Sequence, residues 1–391
     1  MINKIFLTIS LLLLISLAGK LFNQPAPGQF IVSNPTPATH ENIHSQELFI
    51  SDFASHGSSN EVHSAAAIEL ENNNIMAFWY GGTREGHKDV TIYKNIWNST
   101  TGQWGQETSI ISREITRDST SRYIRKLGNP VVTRGADNSI WLFYVSVSVG
   151  GWAGSAINLS ISHNEGQSWS PSKRLISSPF LNLSTLLKGS PIHYSDGTTG
   201  LPVYHELLGK FGELLKLDSY GNVIDKTRLS WGKTSLQPVI IPGSPTQAVN
   251  LMRYQGDAPH RILFQTTQDA GLSWSPVEKS QLPNPNAGIF GLKLFNSRQL
   301  LLAFNNDEQE REDMTLASSD DNGKTWQVRK IIEQNRLEIP DNARQFSYPW
   351  LLQTKNGNIH LLYTWHKSHI KHIVFNLSWL NKLTAEQELT P

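Results

Sequence analysis

The sequence predicts an all-β protein, a six-bladed β-propeller, and three observations carry that prediction. A Ser/Thr-x-Asp/Asn-x-Gly-x-Ser/Thr-Trp octet occurs at Ser162–Trp169, Thr267–Trp274 and Ser319–Trp326. Thr267 and Ser319 lie 52 positions apart, and Ser162 and Thr267 lie 105 apart, close to twice that spacing. A polar turn followed by a short apolar strand recurs six times along the chain. A repeat of this length suits one four-stranded blade, and six blades make a ring.

Each octet position has a physical task. Asp or Asn accepts backbone N–H groups within a tight turn. Gly takes positive φ at little steric cost. Trp offers a wide apolar face to a neighbouring unit. The spacing demands a weaker unit between the second and third octets, and Asp218-Ser219-Tyr220-Gly221-Asn222 supplies it. Gly102 before Trp104 marks another. The sixth blade has no such turn, because the chain ends there.

The six apolar strands are read at Asn74–Trp79, Ser139–Tyr144, Leu201–Tyr204, Ala248–Leu251, Leu300–Phe304 and Asn358–Tyr363. A ring must close to protect its sheet edges, and Glu47–Ser51 is the expected closing strand beside the last blade. Segments 112–127 and 333–345 are Arg-rich and irregular, and are expected as loops over one face.

Before the ring, Lys4 precedes an apolar run, Ile5–Leu17, that ends in Ser16-Leu17-Ala18. That is the layout of a secretory signal peptide over 1–18. The run is short for a spanning helix of about 20 residues, so an uncleaved N-terminal anchor is the alternative. Lys20 stands where a lipid-modified Cys would be needed. The expected organisation is a signal peptide (1–18), a polar linker (19–45), the propeller (46–380) and a tail (381–391). Export to the periplasm or the outside follows, with membrane contact only through the N-terminus.

Charged residues make up 17% of the 391-residue chain, and there are 12 Trp. Low charge with many aromatics suits an all-β protein with a Ser/Thr/Asn/Gln surface. Net charge is +1 without a basic stripe, which argues against nucleic acid as a partner. The absence of Cys excludes thiol catalysis, thiolate metal sites and disulfides. His366-x-x-His369-x-x-His372 has a metal-like look, but on a strand that spacing alternates faces. No metal or cofactor is expected.

The octets, known as Asp-boxes, together with this strand pattern resemble the sialidase (neuraminidase) superfamily, in particular its BNR-repeat sialidase-like proteins. The resemblance covers roughly residues 45–380. It implies a glycan or glycoconjugate substrate, an arginine triad for a carboxylate, a Tyr nucleophile, a Glu that assists it and an Asp acid/base. Arg makes charged, bidentate bonds to a carboxylate. The reacting carbon carries that carboxylate, so a Tyr relayed through Glu avoids the repulsion an anionic nucleophile would meet.

Carried over position by position, Asp89 falls at the acid/base and Tyr348 at the nucleophile. Arg253 and Arg311 fall at two triad arginines, and Arg84, next to Glu85, at a further arginine. His63 stands where the first triad arginine is expected, and Gln237 where the assisting Glu is expected. A neutral Gln cannot take the Tyr proton, so Glu206, at the end of a blade-three strand, is the candidate substitute. Asn129-Pro130, Lys188 and Asn284-Pro285-Asn286 are further loop candidates. The resemblance implies an exo-glycosidase acting on a terminal acidic sugar. The departures at His63 and Gln237 also allow a non-hydrolytic glycan-binding propeller, or a glycosidase for a uronic-type sugar.

Overall fold

A computed structural model describes residues 28–32, 46–178, 182, 184–335 and 345–382. The expected signal peptide lies outside these residues. Six antiparallel sheets follow one another around a ring; their strands run in chain order from the axis outward, except that the outermost strand of the sixth comes from the start of the chain. The first strands of neighbouring blades touch around the axis.

Blade one is built on Glu61–Glu69, Ile75–Gly82 and Thr91–Asn98, and blade two on Lys126–Arg134, Ile140–Val147 and Ser155–Ser162. Blade three splits its first strand into Leu186–Leu187 and Ile192–His193, followed by Thr199–His205 and Phe211–Leu217. Blade four runs from Ser235–Pro242 to Glu278–Pro283, and blade five from Phe290–Lys293 to Gln327–Gln334. Blade six has Phe346–Gln353, Ile359–Trp365 and His369–Phe375, and takes its outer strand from the start of the chain. Phe49–Phe53 pairs with His369–Phe375, Ile50 opposite Val374. The closing strand thus lies two residues beyond the expected Glu47–Ser51. It ties the two ends of the ring together, so no blade is left with an open edge at the seam.

The second strands are sandwiched between neighbouring blades. Ile75–Gly82 and Ile140–Val147 are buried at every residue. A strand with no solvent face reads as a continuous apolar run, which is why these segments stand out in the sequence. Trp79, Trp141, Tyr144 and Phe143 are fully buried there.

The octets join third strands to fourth strands. Ser319 Oγ donates to Asp321 Oδ1 (2.8 Å) and accepts from Gly323 N (2.8 Å), while Thr325 N donates to Asp321 Oδ1 (2.9 Å). Thr267–Trp274 and Ser162–Trp169 repeat these bonds around Asp269 and Asn164. Gly166, Gly271 and Gly323 have φ of 76°, 86° and 78°. In the weaker unit, Tyr220 N and Asn222 N both donate to Asp218 Oδ1.

Two stretches differ from expectation. Segment 112–127 contains a helix, α1 (Arg113–Thr120), before the first strand of blade two. Ser112 caps it by accepting from Ile115 N, and Thr116, its buried residue, meets Tyr144 Oη at 3.0 Å. One buried side chain in eight residues leaves no amphipathic period to read. Within the stretch read as linker, residues 28–32 lie against blades three and four. Phe30 is buried against Tyr194, and its N–H donates to Pro245 O (2.7 Å). In segment 333–345, the described residues 333 and 334 still belong to a strand. A short helix, α2 (Leu377–Asn381), closes the described chain with Leu380 buried.

Candidate active site

Each blade carries a backbone anomaly in or just before its first strand, at the same end of the ring. Ser64, Asn129, Ser184, Gln237, Asn286 and Tyr348 have φ between 44° and 58°, one residue for each blade. Four of them coincide with register shifts, at His63/Ala66, Gly128/Val131, Leu236/Val239 and Ser347/Trp350. A bulge inserts an extra residue and re-aims side chains. Six bulge-like breaks around one axis turn side chains toward its mouth.

A cavity of about 350 Å³ opens at that mouth, lined by His63, Glu85, Arg311, Tyr348 and Lys367 among others. His63 lies in blade one and is buried, with its ring 5.5 Å from Tyr348 and 5.8 Å from Tyr80. Burial, with Lys367 and Arg311 nearby, pushes its pKa down to about 3. The imidazole is therefore neutral at physiological pH. It can exchange a hydrogen bond with a ligand but does not replace a guanidinium as a cation. Glu85 Oε2 lies 4.0 Å from His63 Nε2.

Asn286 positions the two arginines. Its left-handed backbone lets its side-chain oxygen accept from Arg253 Nε (2.7 Å) while its carbonyl accepts from Arg311 Nη2. Arg311 sits in an acidic run in the sequence, yet it turns into the cavity. Burial first, and then the charge of Arg253, lower its pKa. Two cations held this close are stable only beside an anion or open water.

Beneath the cavity lies a tyrosine cluster. Burial, with Glu85, Tyr348 and Tyr204 nearby, raises the Tyr80 phenol well above its ordinary value. Tyr204 is raised by burial and then by Glu206 and Tyr348. Gln237 is buried and its Nε2 donates to Tyr204 Oη at 3.4 Å. Gly288 allows this packing, because a Cβ there would stand 3.0 Å from Gln237 Oε1 and 3.3 Å from Tyr348 Cδ1. Glu206 is shifted upward by burial, against the opposing pull of Arg253, Lys210 and Lys126.

The structure thus gathers His63, Glu85, Arg311 and Tyr348 around one cavity, with Gln237, Arg253 and Glu206 next to them. Arg84 and Asp89 do not line it. Asp89 closes its own loop: Oδ2 accepts from Thr83 N (3.0 Å) and Thr83 Oγ1 (2.6 Å), and Oδ1 meets His87 Nδ1 (2.5 Å). The Thr83 hydroxyl, above all, with His87 and Thr83 N, holds its carboxyl at about 2. A carboxyl so bound is ionised at neutral pH and holds the turn. Arg84 faces a neighbouring cavity.

Sequence reasoning missed Lys367, Tyr80, Tyr204 and Gly288. Lys367 sits with His366 in the left-handed tip of the hairpin between Ile359–Trp365 and His369–Phe375. The connection has three residues, 366–368, and Ser368 N donates to Trp365 O to close a tight turn around the left-handed pair; a short polar run between two apolar strands was the available signal. The three histidines of that stretch separate: His369 meets Phe53, whereas His372 is buried against His360. Among the described residues, no group of three or more His, Asp or Glu side chains could hold a metal ion.

A bulged six-bladed ring with a polar axial cavity defines a sialidase-like β-propeller. The profile of the BNR repeat-like domain family matches residues 73–361, and the chain belongs to that family. No curated protein sequence matches the chain. Among solved structures it is similar to a Hadza microbial sialidase, with a TM-score of 0.68 at 14% identity over 84% of this chain and 68% of that one. The NanB sialidase from Streptococcus pneumoniae gives 0.64 at 10% identity, covering 94% of this chain and 73% of that one. An α-L-arabinanase from Penicillium chrysogenum, complexed with arabinobiose, gives 0.63 at 11% identity over 87% and 100%. At these identities the likeness is one of fold.

Proposed function

We propose that the protein is an exported exo-glycosidase that hydrolyses a terminal acidic sugar. The observation that supports this most is the pairing of Arg253 and Arg311 through Asn286 at the cavity that holds Tyr348. The arginines hold the sugar's anionic group, and Tyr348 Oη faces the anomeric carbon. Tyr348 Oη gives its proton to the Glu206 carboxylate and bonds to that carbon as the bond to the leaving oxygen breaks, and a second carboxylic acid protonates the leaving oxygen. Water then attacks with the same carboxylate as base, and the phenolate leaves.

The geometry favours Glu85 as that carboxyl, because it lines the cavity and Asp89 does not. Glu206 is the candidate that assists Tyr348: in its carboxylate form it takes the phenol proton, and burial, which raises its pKa, makes that carboxylate the stronger acceptor. The family position still nominates Asp89, and a loop movement on binding is what that role requires. Export rests on the N-terminal signal-like segment, and the glycan on the solved glycosidases that share the fold.

The test is turnover of 4-methylumbelliferyl glycosides of sialic acid and of uronic acids. Tyr348→Phe lowers kcat by about a thousandfold or more without moving the melting temperature. Glu85→Gln lowers it by about a hundredfold, whereas Asp89→Asn with Glu85→Gln harmless returns the acid/base role to Asp89. Wild-type protein that binds these sugars and releases none of them is a glycan-binding propeller.

A further inference from the structure

A second cavity adjoins the first across Glu85, which lines both. It measures about 480 Å³ and is walled by Arg84, Lys88, Arg113, Arg125 and Tyr123. The α1 insertion supplies three of these: Arg113 opens the helix, and Tyr123 and Arg125 follow it. The turn held by Asp89 supplies Arg84 and Lys88.

The charge balance in this cavity is one-sided. Arg84, Lys88 and Arg125 have no carboxylate partner among the described residues. Arg113 Nη2 lies 3.6 Å from Glu114, whose side chain is 58% exposed. Arg113 Nη1 donates to Arg125 O (3.2 Å), and its Nε is buried without a partner. His87, also on the wall, is occupied by Asp89. Glu85 is the acidic group on the wall, and it belongs equally to the first cavity. Tyr123 is 67% exposed, so an apolar ring stands open at the rim beside four cations. Guanidinium forks recognise carboxylate and sulfate oxygens, and an exposed aromatic ring accepts the apolar face of a sugar.

We propose that this cavity is an oxyanion subsite for the second sugar of an acidic glycan, a sulfated or carboxylated residue joined to the terminal one. This deepens the glycosidase reading and rests on it for the terminal sugar. The substrate class becomes a polyanionic oligosaccharide, with one acidic group held by Arg253 and Arg311 and another by Arg84, Lys88, Arg113 and Arg125. Glu85, on the wall between the two, faces the bond that links them.

Binding without turnover tests the subsite separately from the chemistry. Galactose 6-sulfate, glucuronic acid and galactose are titrated calorimetrically into wild-type protein, Arg113→Gln/Arg125→Gln and Arg311→Gln. The expected result is that at least one anionic sugar binds, that the double variant weakens it by about tenfold or more, and that Arg311→Gln leaves that component intact. Galactose shows no such component, and raising salt from about 50 to about 500 mM weakens it. If the double variant does not fold, Arg84→Gln/Lys88→Gln, on an exposed loop, replaces it with the same expectation. Equal binding by wild type and variant, loss only in Arg311→Gln, or no binding of either anion overturns the subsite. A protein that binds the anion as expected and hydrolyses nothing overturns only the hydrolase reading.

Discussion

At one end of the ring the first strands break register, and six non-glycine residues take left-handed backbone conformations. At the other end, third strands run into turns closed by side-chain hydrogen bonds, and there each octet places a left-handed Glu165, Ala270 or Asn322 directly before its left-handed glycine. The cavities differ in the same sense. The bulged end holds about 350 Å³ walled by His63, Glu85, Arg311 and Lys367. The opposite end holds about 610 Å³, walled by Phe290, Trp350 and Ile240 near the axis and also by Glu69, Arg134 and Lys355. A left-handed non-glycine residue costs roughly 1 kcal/mol. Glycine would relieve that cost at the bulges but would delete Tyr348, Gln237 and Asn286, the side chains that build the site. The comparison teaches that left-handed backbone serves two purposes: at the bulges it aims the side chains that build the site, and at the octets it closes a turn whose second left-handed position is filled by glycine.

The largest separation between the ends comes from Asp321→Ala. The substitution removes the acceptor for Ser319 Oγ, Thr325 N and Thr325 Oγ1. It is expected to destabilise the protein by about 2 kcal/mol in urea unfolding and to leave glycan binding unchanged. A loss of binding that matches the loss of stability would break the comparison, since it would couple the turn end to the site.

A smaller and opposite pair tests the strain itself. Ser64 has φ of 58°, is fully buried, and its hydroxyl has no partner among the described residues. Ser64→Gly is expected to stabilise the protein by about 1 kcal/mol. Gly323 has φ of 78°, and a Cβ there would meet Val249 Cγ1 at 3.2 Å. Gly323→Ala is expected to cost about 1–2 kcal/mol. Chemical denaturation of both variants reads the two signs, and the same sign in both would remove the distinction between the ends.

The two ends were not equally legible in the sequence. The turn end repeats its chemistry, because each octet closes the same loop with the same bonds, so blade count and ring closure could be read. The bulged end repeats only a backbone conformation. Ser64-Ala65, Asn129-Pro130, Ser184-Thr185, Gln237-Pro238, Asn286-Ala287 and Tyr348-Pro349 share no residue pattern beyond a frequent proline. The family resemblance, with the octets as a ruler along the chain, nominated Arg311, Arg253, Tyr348, Gln237 and His63. It could not show that Asp89 spends both oxygens on its own turn, because that depends on Thr83 and His87 folding back six and two residues away. Nor could it show Lys367, which reaches the cavity from the tip of the sixth blade. The α1 insertion was read as a loop because its helix is held by a cap and one buried threonine, not by an apolar face.

Lys188 lies between the two ends and yields the smallest effect. It is fully buried, with Nζ 5.5 Å from the ring centre of Phe290 and 5.4 Å from that of Trp350, both of which line the larger cavity. Among the described residues, its Nζ donates to Pro349 O at 2.9 Å, the carbonyl next to Tyr348. Burial pushes its pKa down to about 7. The folded state therefore holds this proton less tightly than the unfolded chain, so stability rises with pH from about 7 toward the ordinary lysine value near 10.5. At and below pH 7 the protein carries a charge in an apolar wall. Lys188→Met fills similar space without it, and is expected to stabilise the fold by on the order of 1 kcal/mol at pH 6, with the gain shrinking as pH rises. The same change frees Pro349 O and loosens the left-handed Tyr348, so kcat should fall severalfold while KM stays constant. Melting curves at pH 6 and pH 9, with kinetics at both, separate the two effects. A stabilised variant with unchanged kcat would mean that the bulge at Tyr348 is held by its own blade, and that the two ends of the ring are independent.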